Sequence, residues 1–394
     1  RYEAQLNPTP DDPNPALPES AQIPSDTNNW GPRAGVSWLA GRDGRTVVRA
    51  NGGLYYSRPP ALLMVSPITT NGRAAFQLTF TPASAGGPVF PNVLPAPPAG
   101  ASIPVSDVNY CDTGFQNPRT FQASVSAERE LIANMTVAID VVFSDSANMQ
   151  RMFDANLAPA SRTKADGRLF YGNPRPNPAF NRMLRSESTA KARYTGTVLT
   201  ARRRWSGRDT WFFKGLEFQA SYTYGQAKDD DSNERNFSAT FYQDWQNLSA
   251  EYNWADTDVR HNFVTNGTWQ LAGGVRVGVI QFARTGRPYS LTSTTDLNGD
   301  GTFDQDRQYL NGIDTGRNSF RHPNFYRTDL RVTKSVALTR YTAELSADIF
   351  NLFNNGNRFV GATNRNFFGN PDAGVPNEQI GGSRQGQISL RFQF

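Results

Sequence analysis

The stretch "GLEFQASYTY", residues 215–224, alternates without a break. Leu216, Phe218, Ala220, Tyr222 and Tyr224 share one side of an extended chain, and Glu217, Gln219, Ser221 and Thr223 share the other. One face is apolar and the other polar. Such a strand suits a soluble domain with a core beneath it. It also suits the wall of a membrane barrel, with lipid outside and water inside. The pattern recurs in "MTVAIDVVF" (135–143), "YRTDLRV" (326–332), "YTAELSADI" (341–349) and the final "QGQISLRFQF" (385–394). The helical spacing i, i+3, i+4 is largely absent, so the fold class read from the pattern is all-β.

About eleven such strands can be counted, near 33–40, 45–57, 117–131, 134–145, 193–205, 212–228, 260–271, 274–285, 325–337, 340–353 and 386–394. Several match the roughly 9–11 residues that cross a bilayer at a tilt. The gaps separate these strands into two kinds. Tight links near 41–44, 132–133, 206–207, 272–274 and 338–339 alternate with long segments at 58–116, 146–192, 229–259, 286–324 and 354–385. Short and long connections in strict alternation predict an antiparallel up-and-down transmembrane β-barrel, with tight turns on the periplasmic side and long loops outside. A sandwich has no reason to gather every long loop at one end. Residues 1–29 then read as the end of an extracellular loop, and 30–394 as barrel. An odd number of strands cannot close an antiparallel barrel on itself, so the eleven are expected to be part of a larger one.

Composition narrows the function. The 394 residues are 38% hydrophobic with 26 Phe, 14 Tyr and 7 Trp, and no run approaches the roughly 18–20 apolar residues of a spanning helix. Lys and Arg exceed Asp and Glu by only 40 to 35, and no basic tract extends beyond Arg202-Arg203-Arg204, so nucleic acid is not an expected partner. Cys111 is the only cysteine, which excludes an internal disulfide. His261 and His322 are the only histidines, with no nucleophile elbow or phosphate loop; the expectation is no enzyme.

Several motifs together resemble the C-terminal barrel half of TonB-dependent receptors, in the Oar-like branch. They are "NNWGPRAGVSWLAGRDGRTVVRANGGLYYSRPP" (28–60), "NPRTFQASVSAEREL" (117–131), "YTGTVLTARRRWS" (194–206), "DVRHNF" (258–263), "FARTGRPYS" (282–290), "LNGDGTFDQDR" (297–307) and "ADIFNLFN" (347–354). The resemblance implies a bacterial outer-membrane location and a 22-stranded barrel of which these strands are the second half. It implies energised uptake, or protein display or export, of an unidentified ligand. The implied partners are TonB-ExbB-ExbD through an N-terminal part, lipid and lipopolysaccharide, and the assembly machinery reading the terminal Phe394. The rival readings are a passive porin or adhesion-type barrel and, further off, a secreted glycan-binding β-sandwich.

Two sets of residues carry site expectations. On the polar strand faces, Glu217, Gln219, Asp329, Arg331, Glu344 and Asp348 are candidates to line the ligand path. In "DLNGDGTFDQD" (296–306), Asp296, Asn298, Asp300 and Asp304 take the spacing of a calcium loop around Gly301, with the Thr302 carbonyl as a further ligand. The twelfth position, which should be a bidentate Glu, is Arg307. This excludes an EF-hand and leaves an oxygen-lined turn for Ca2+; no other cofactor is expected. The acidic run "KDDDSNER" (228–235) reads as a solvated loop tip.

Overall fold

A computed structural model describes residues 1–73, 86–96, 105–172, 174–205, 213–232, 242–302 and 306–394. Eleven strands run up and down in chain order: β1 (Arg33–Ala40), β2 (Thr46–Tyr56), β3 (Arg119–Ile132), β4 (Met135–Asp154), β5 (Met183–Trp205), β6 (Phe213–Asp229), β7 (His261–Leu271), β8 (Val275–Arg284), β9 (Phe325–Leu338), β10 (Tyr341–Phe350) and β11 (Gln385–Gln393). Each pairs antiparallel with the next in a single meander. Two short strands join this sheet: Asn253–Trp254 beside β6, and Val108–Cys111 parallel to the start of β5.

Register keeps the two faces separate across the sheet. Leu216, Trp269, Val277, Val332, Ala347 and Ile388 form one continuous cross-strand row. One residue along, Arg204, Glu217, Thr268, Gly278, Arg331, Asp348 and Gln387 form the next row, on the opposite face. A single-residue slip in any strand would exchange these rows, so apolar alternation fixes the register. Trp269 and His261 bound the apolar face of β7 eight residues apart, about 20 Å of height at a rise of ~3.3 Å and a tilt of about 40°. Tyr222, Tyr224 and Phe263 ring its upper edge, where the His261 Nδ1 and the Tyr222 hydroxyl lie 2.8 Å apart.

The short links all fall at one end. Ala133-Asn134 joins β3 to β4 with Asn134 at φ 61°, and Thr339-Arg340 joins β9 to β10. Gly273 and Gly274 turn β7 into β8 at φ 68° and 73°, and a Cβ on Gly274 would come within 2.4 Å of the Ser335 carbonyl oxygen. The link 206–212 lies outside the described residues.

Two strands are longer than the alternation predicts. β4 continues to Asp154 and β5 begins at Met183, so much of the segment expected as loop 146–192 is a paired ribbon. Register shifts between Glu187, Ala190 and Ala192 break the period of two there. The cause is environment. Above the apolar band both faces of the ribbon are covered by loops, with Met152, Leu184 and Arg151 buried, so no lipid-water contrast imposes alternation. β10 ends at Phe350, short of the expected 353. The first thirty residues also carry structure: Tyr2–Gln5 pairs with Asp26–Trp30, and Leu17 packs with Val108, Tyr110 and Phe180.

Among the described residues β1 and β11 each pair on one side only. Every residue of β11 is exposed, Ile388 at 78%. Neighbouring valines offer a direct check on the faces, because Val141 lies on the apolar face and Val142 on the polar one, between Ser124 and Gly196. Val141→Arg should destabilise assembly by about 2–4 kcal/mol, and Val142→Arg by well under half of that, read as the heat-modifiable folded fraction after urea titration in lipid.

Candidate functional site: the mouth at the long-connection end

The long segments fold over the ends of the strands and are fastened by buried ion pairs. Arg307 is the centre of this clamp. Its guanidinium donates to both carboxylate oxygens of Glu251 at 2.7 and 2.9 Å and through Nε to Asp314 at 3.1 Å. Arg307 is 2% exposed and Glu251 fully buried. Burial works against the charge on Arg307, but Asp314 and Glu251 outweigh it and hold the guanidinium more firmly protonated than usual. The preceding Asp306 accepts from Arg168 Nη1 at 3.2 Å, from Gln243 Nε2 at 3.3 Å and from the Leu297 N–H at 2.5 Å. Arg317 ties the same region to β6 by donating to Asp229 and, through Nε, to the Glu251 carbonyl at 2.9 Å. Arg321 pairs with Asp258, which also accepts the Ala227 N–H at 2.7 Å.

Within the acidic run, Asp229, Asp230 and Asp231 belong to this clamp and are not a solvated tip. Asp229 holds Arg317, Asp230 holds Arg151 at 2.7 Å, and Asp231 accepts from the Tyr242 hydroxyl at 2.7 Å; Asn233, Glu234 and Arg235 lie outside the described residues. Sequence spacing gave no sign of this, because Arg151 and Arg317 are remote in the chain from the carboxylates they meet. Arg307 was noticed only as a departure from a calcium loop.

The turn 296–302 satisfies itself with protein donors. The two Asp296 oxygens accept the N–H groups of Gly299 at 2.6 Å and Gly301 at 3.0 Å. Asp300 accepts from the Thr302 N–H at 2.7 Å, the Thr302 hydroxyl at 2.6 Å and the Trp245 indole at 2.9 Å. Asn298 Oδ1 accepts the Asp300 N–H at 3.0 Å. Burial pushes the Asp296 carboxyl up, against the two glycine N–H bonds. Among the described residues no three acidic, His or Cys side chains converge to hold a metal ion. Asp304 lies outside the described residues. The described oxygens close the turn on itself and present Asp300 to Trp245.

The six polar-face candidates all lie on the face opposite Leu216 and Leu345. Arg331 pairs with Asp348, with one contact of 3.0 Å, and Arg327 with Asp329 at 2.8 Å. Glu344 accepts from the Ser335 hydroxyl at 3.0 Å and lies 3.6 Å from Arg276. Glu217 and Gln219 are exposed. They form a charged, hydrated wall, and none of them lines the principal cavity.

That cavity, of about 880 Å³, opens at the top of β8 and β9 between the segments that follow β6, β8 and β10. Its floor includes Arg284, stacked at 4.7 Å over Phe325. Tyr289 and His322 stack at 4.5 Å in its wall, and His322 Nδ1 accepts the Val360 N–H at 3.1 Å. Burial and the nearby Arg365 push the His322 ring below the usual histidine range, so it is neutral at pH 7. With Nδ1 accepting, the neutral ring carries its proton on Nε2 and is a donor.

The sequence matches the model of a family described as outer membrane beta barrel domain over residues 4–315. The chain belongs to that family. Its strand meander is also similar to solved outer-membrane proteins. With the outer membrane transporter YddB of Escherichia coli the TM-score is 0.56 at 10% identity, over 93% of this chain and 40% of that one. With two mutant forms of the ferric enterobactin receptor of Pseudomonas aeruginosa, each in complex with enterobactin, the TM-scores are 0.53 and 0.51 at 14% identity, over 92% of this chain and 40% of theirs. The chain therefore spans less than half the length of these structures, and at such identities the likeness is one of fold. No curated protein matches the chain. Membership of the family fixes the setting: this is outer-membrane β-barrel.

Because the clamp holds the mouth, Glu251→Ala should cost about 1.5–3 kcal/mol locally by removing two charge-assisted hydrogen bonds and leaving the buried guanidinium only Asp314. The check is limited proteolysis. Cleavage within 242–324 should accelerate while the strands keep their heat-modifiable fold.

Proposed function

We propose that this chain forms wall and mouth of a TonB-dependent outer-membrane receptor, which captures a ligand in the loop cavity and passes it inward along the polar face. The observation that supports this most is the mouth itself. The long segments are not open tethers: they are fastened by Arg307, Arg317 and Arg321 into a fixed, charged concavity directly above the polar strand face. A general porin needs an unobstructed lumen, and a barrel that only displays loops needs no cavity continuous with it. The similar solved structures include a transporter and a ligand-bound receptor, which favours the same reading.

On this reading the long segments face the cell exterior and the tight turns face the periplasm. The edges of β1 and β11 are closed by further strands, because unpaired backbone groups cannot face lipid. A barrel of 22 strands would leave half of the wall to be supplied. Energy would come from TonB-ExbB-ExbD acting through a part of the protein outside these residues. Phe394, which packs edge-on against Tyr341 at 5.2 Å, would be the residue read by the assembly machinery.

The reading is tested with the detergent-purified intact protein and the periplasmic domain of TonB. Saturable complex formation, with bilayers that stay non-conducting, is expected. Steady single-channel conductance with no TonB complex would replace the receptor by a porin.

A further inference from the structure

We propose that the mouth cavity is an anion site, built for a small ligand that carries phosphate or carboxylate groups. The inference rests on the receptor reading and names the class of ligand. It begins with charge that is left over. Seven loop arginines are consumed by the fold: Arg151, Arg168, Arg175, Arg182, Arg307, Arg317 and Arg321 each pair with a carboxylate, Arg307 and Arg317 from the cavity wall itself. Four further arginines of the cavity are different. Arg284, Arg287, Arg358 and Arg365 all line it, and among the described residues none of the four has a carboxylate within 4.0 Å. Of the lining acids, Asp230 is held by Arg151 and Asp231 by the Tyr242 hydroxyl; Asp256 accepts from Asn318 at 2.6 Å.

Arg287, Arg358 and Arg365 stand exposed at the rim of the cavity, and Arg284 is set deeper. Arg284 pairs with Asn262 and Phe325 on the polar face of the sheet, one residue beyond Ala283 on the lipid face, so its guanidinium stands at the lumen end of the mouth. It is half-buried and already stacked on Phe325. A stacked guanidinium keeps its edge N–H groups for a planar oxyanion. Arg365 lies near His322, the ring that donates only through Nε2. A concave, low-dielectric wall concentrates such fields, so an anion entering from water is drawn inward and then bound by forked donors. The paired stack of Tyr289 and His322 supplies an apolar face for the uncharged part of the ligand.

The experiment is isothermal titration of the detergent-purified intact protein, at low ionic strength, with citrate and separately with pyrophosphate. Saturable binding of at least one is expected, and the preference between the two identifies the carboxylate or phosphate class. Arg284→Gln with Arg365→Gln together should weaken it at least tenfold, while Arg162→Gln, whose guanidinium sits over Phe170 away from the cavity, should leave it unchanged. Should the double variant lose its fold, the exposed Arg287→Gln is read alone, with a threefold loss expected. No binding of either anion, or equal binding in the cavity variants, would overturn the proposal. Because this readout does not involve TonB, anion binding failing beside an intact TonB complex would remove the ligand class and leave the receptor. The reverse result would remove the receptor and leave the site.

Discussion

Backbone hydrogen bonding inside hydrocarbon is the constraint on which the rest depends. An N–H or C=O that faces lipid has no water to bond, and each one left open costs several kcal/mol. A strand answers this only by pairing along its whole membrane length. The meander from β1 to β11 does so at each internal seam, with unbroken register across β6, β7, β8 and β9 in the band that Trp269 and His261 bound. Once pairing is obligatory, side chains are free to serve only two solvents, and the two faces follow.

That is why the strands were legible from sequence and the mouth was not. Lipid on one side and water on the other impose a period of two, which a reader can count, and β1, β3, β7 and β8 lie within two residues of where the alternation places them. The ribbon of β4 and β5 above the bilayer escaped because protein covers both its faces. The clamp escaped for a different reason. Arg307 meets Glu251 across 56 residues and Arg317 meets Asp229 across 88, and nothing local to either residue announces the partner. The Asp-x-Asn-x-Asp spacing with glycines in 296–301 suits a calcium loop and equally a turn that caps its own N–H groups, so spacing alone does not choose between them. Parity puts the six polar-face candidates on one face, while the cavity is lined by Arg284, Tyr289, His322 and Arg365, whose grouping depends on loop packing.

The loops and the strands thus obey opposite rules. In the wall, charged pairs such as Arg331 with Asp348 sit beside water and contribute little to stability. In the mouth, the pairs are dry and must be complete, since a lone buried guanidinium would be costly. On the proposed reading, loops fastened by such pairs would present the cavity arginines in a fixed place. The same arrangement would be far less selective on mobile loops.

On this account residues 216–224 separate lipid from water one residue at a time. Cys111 helps the measurement, because burial pushes its thiol up to about 12 and leaves it unreactive. Single cysteines placed at 216 through 223 would each carry a nitroxide in the intact, membrane-embedded protein. Collision with oxygen, which partitions into lipid, should peak at 216, 218, 220 and 222, and collision with a water-soluble nickel complex at 217, 219, 221 and 223. Two profiles in opposite phase with a period of two are predicted. A period near 3.6, or two profiles in phase, would contradict the account.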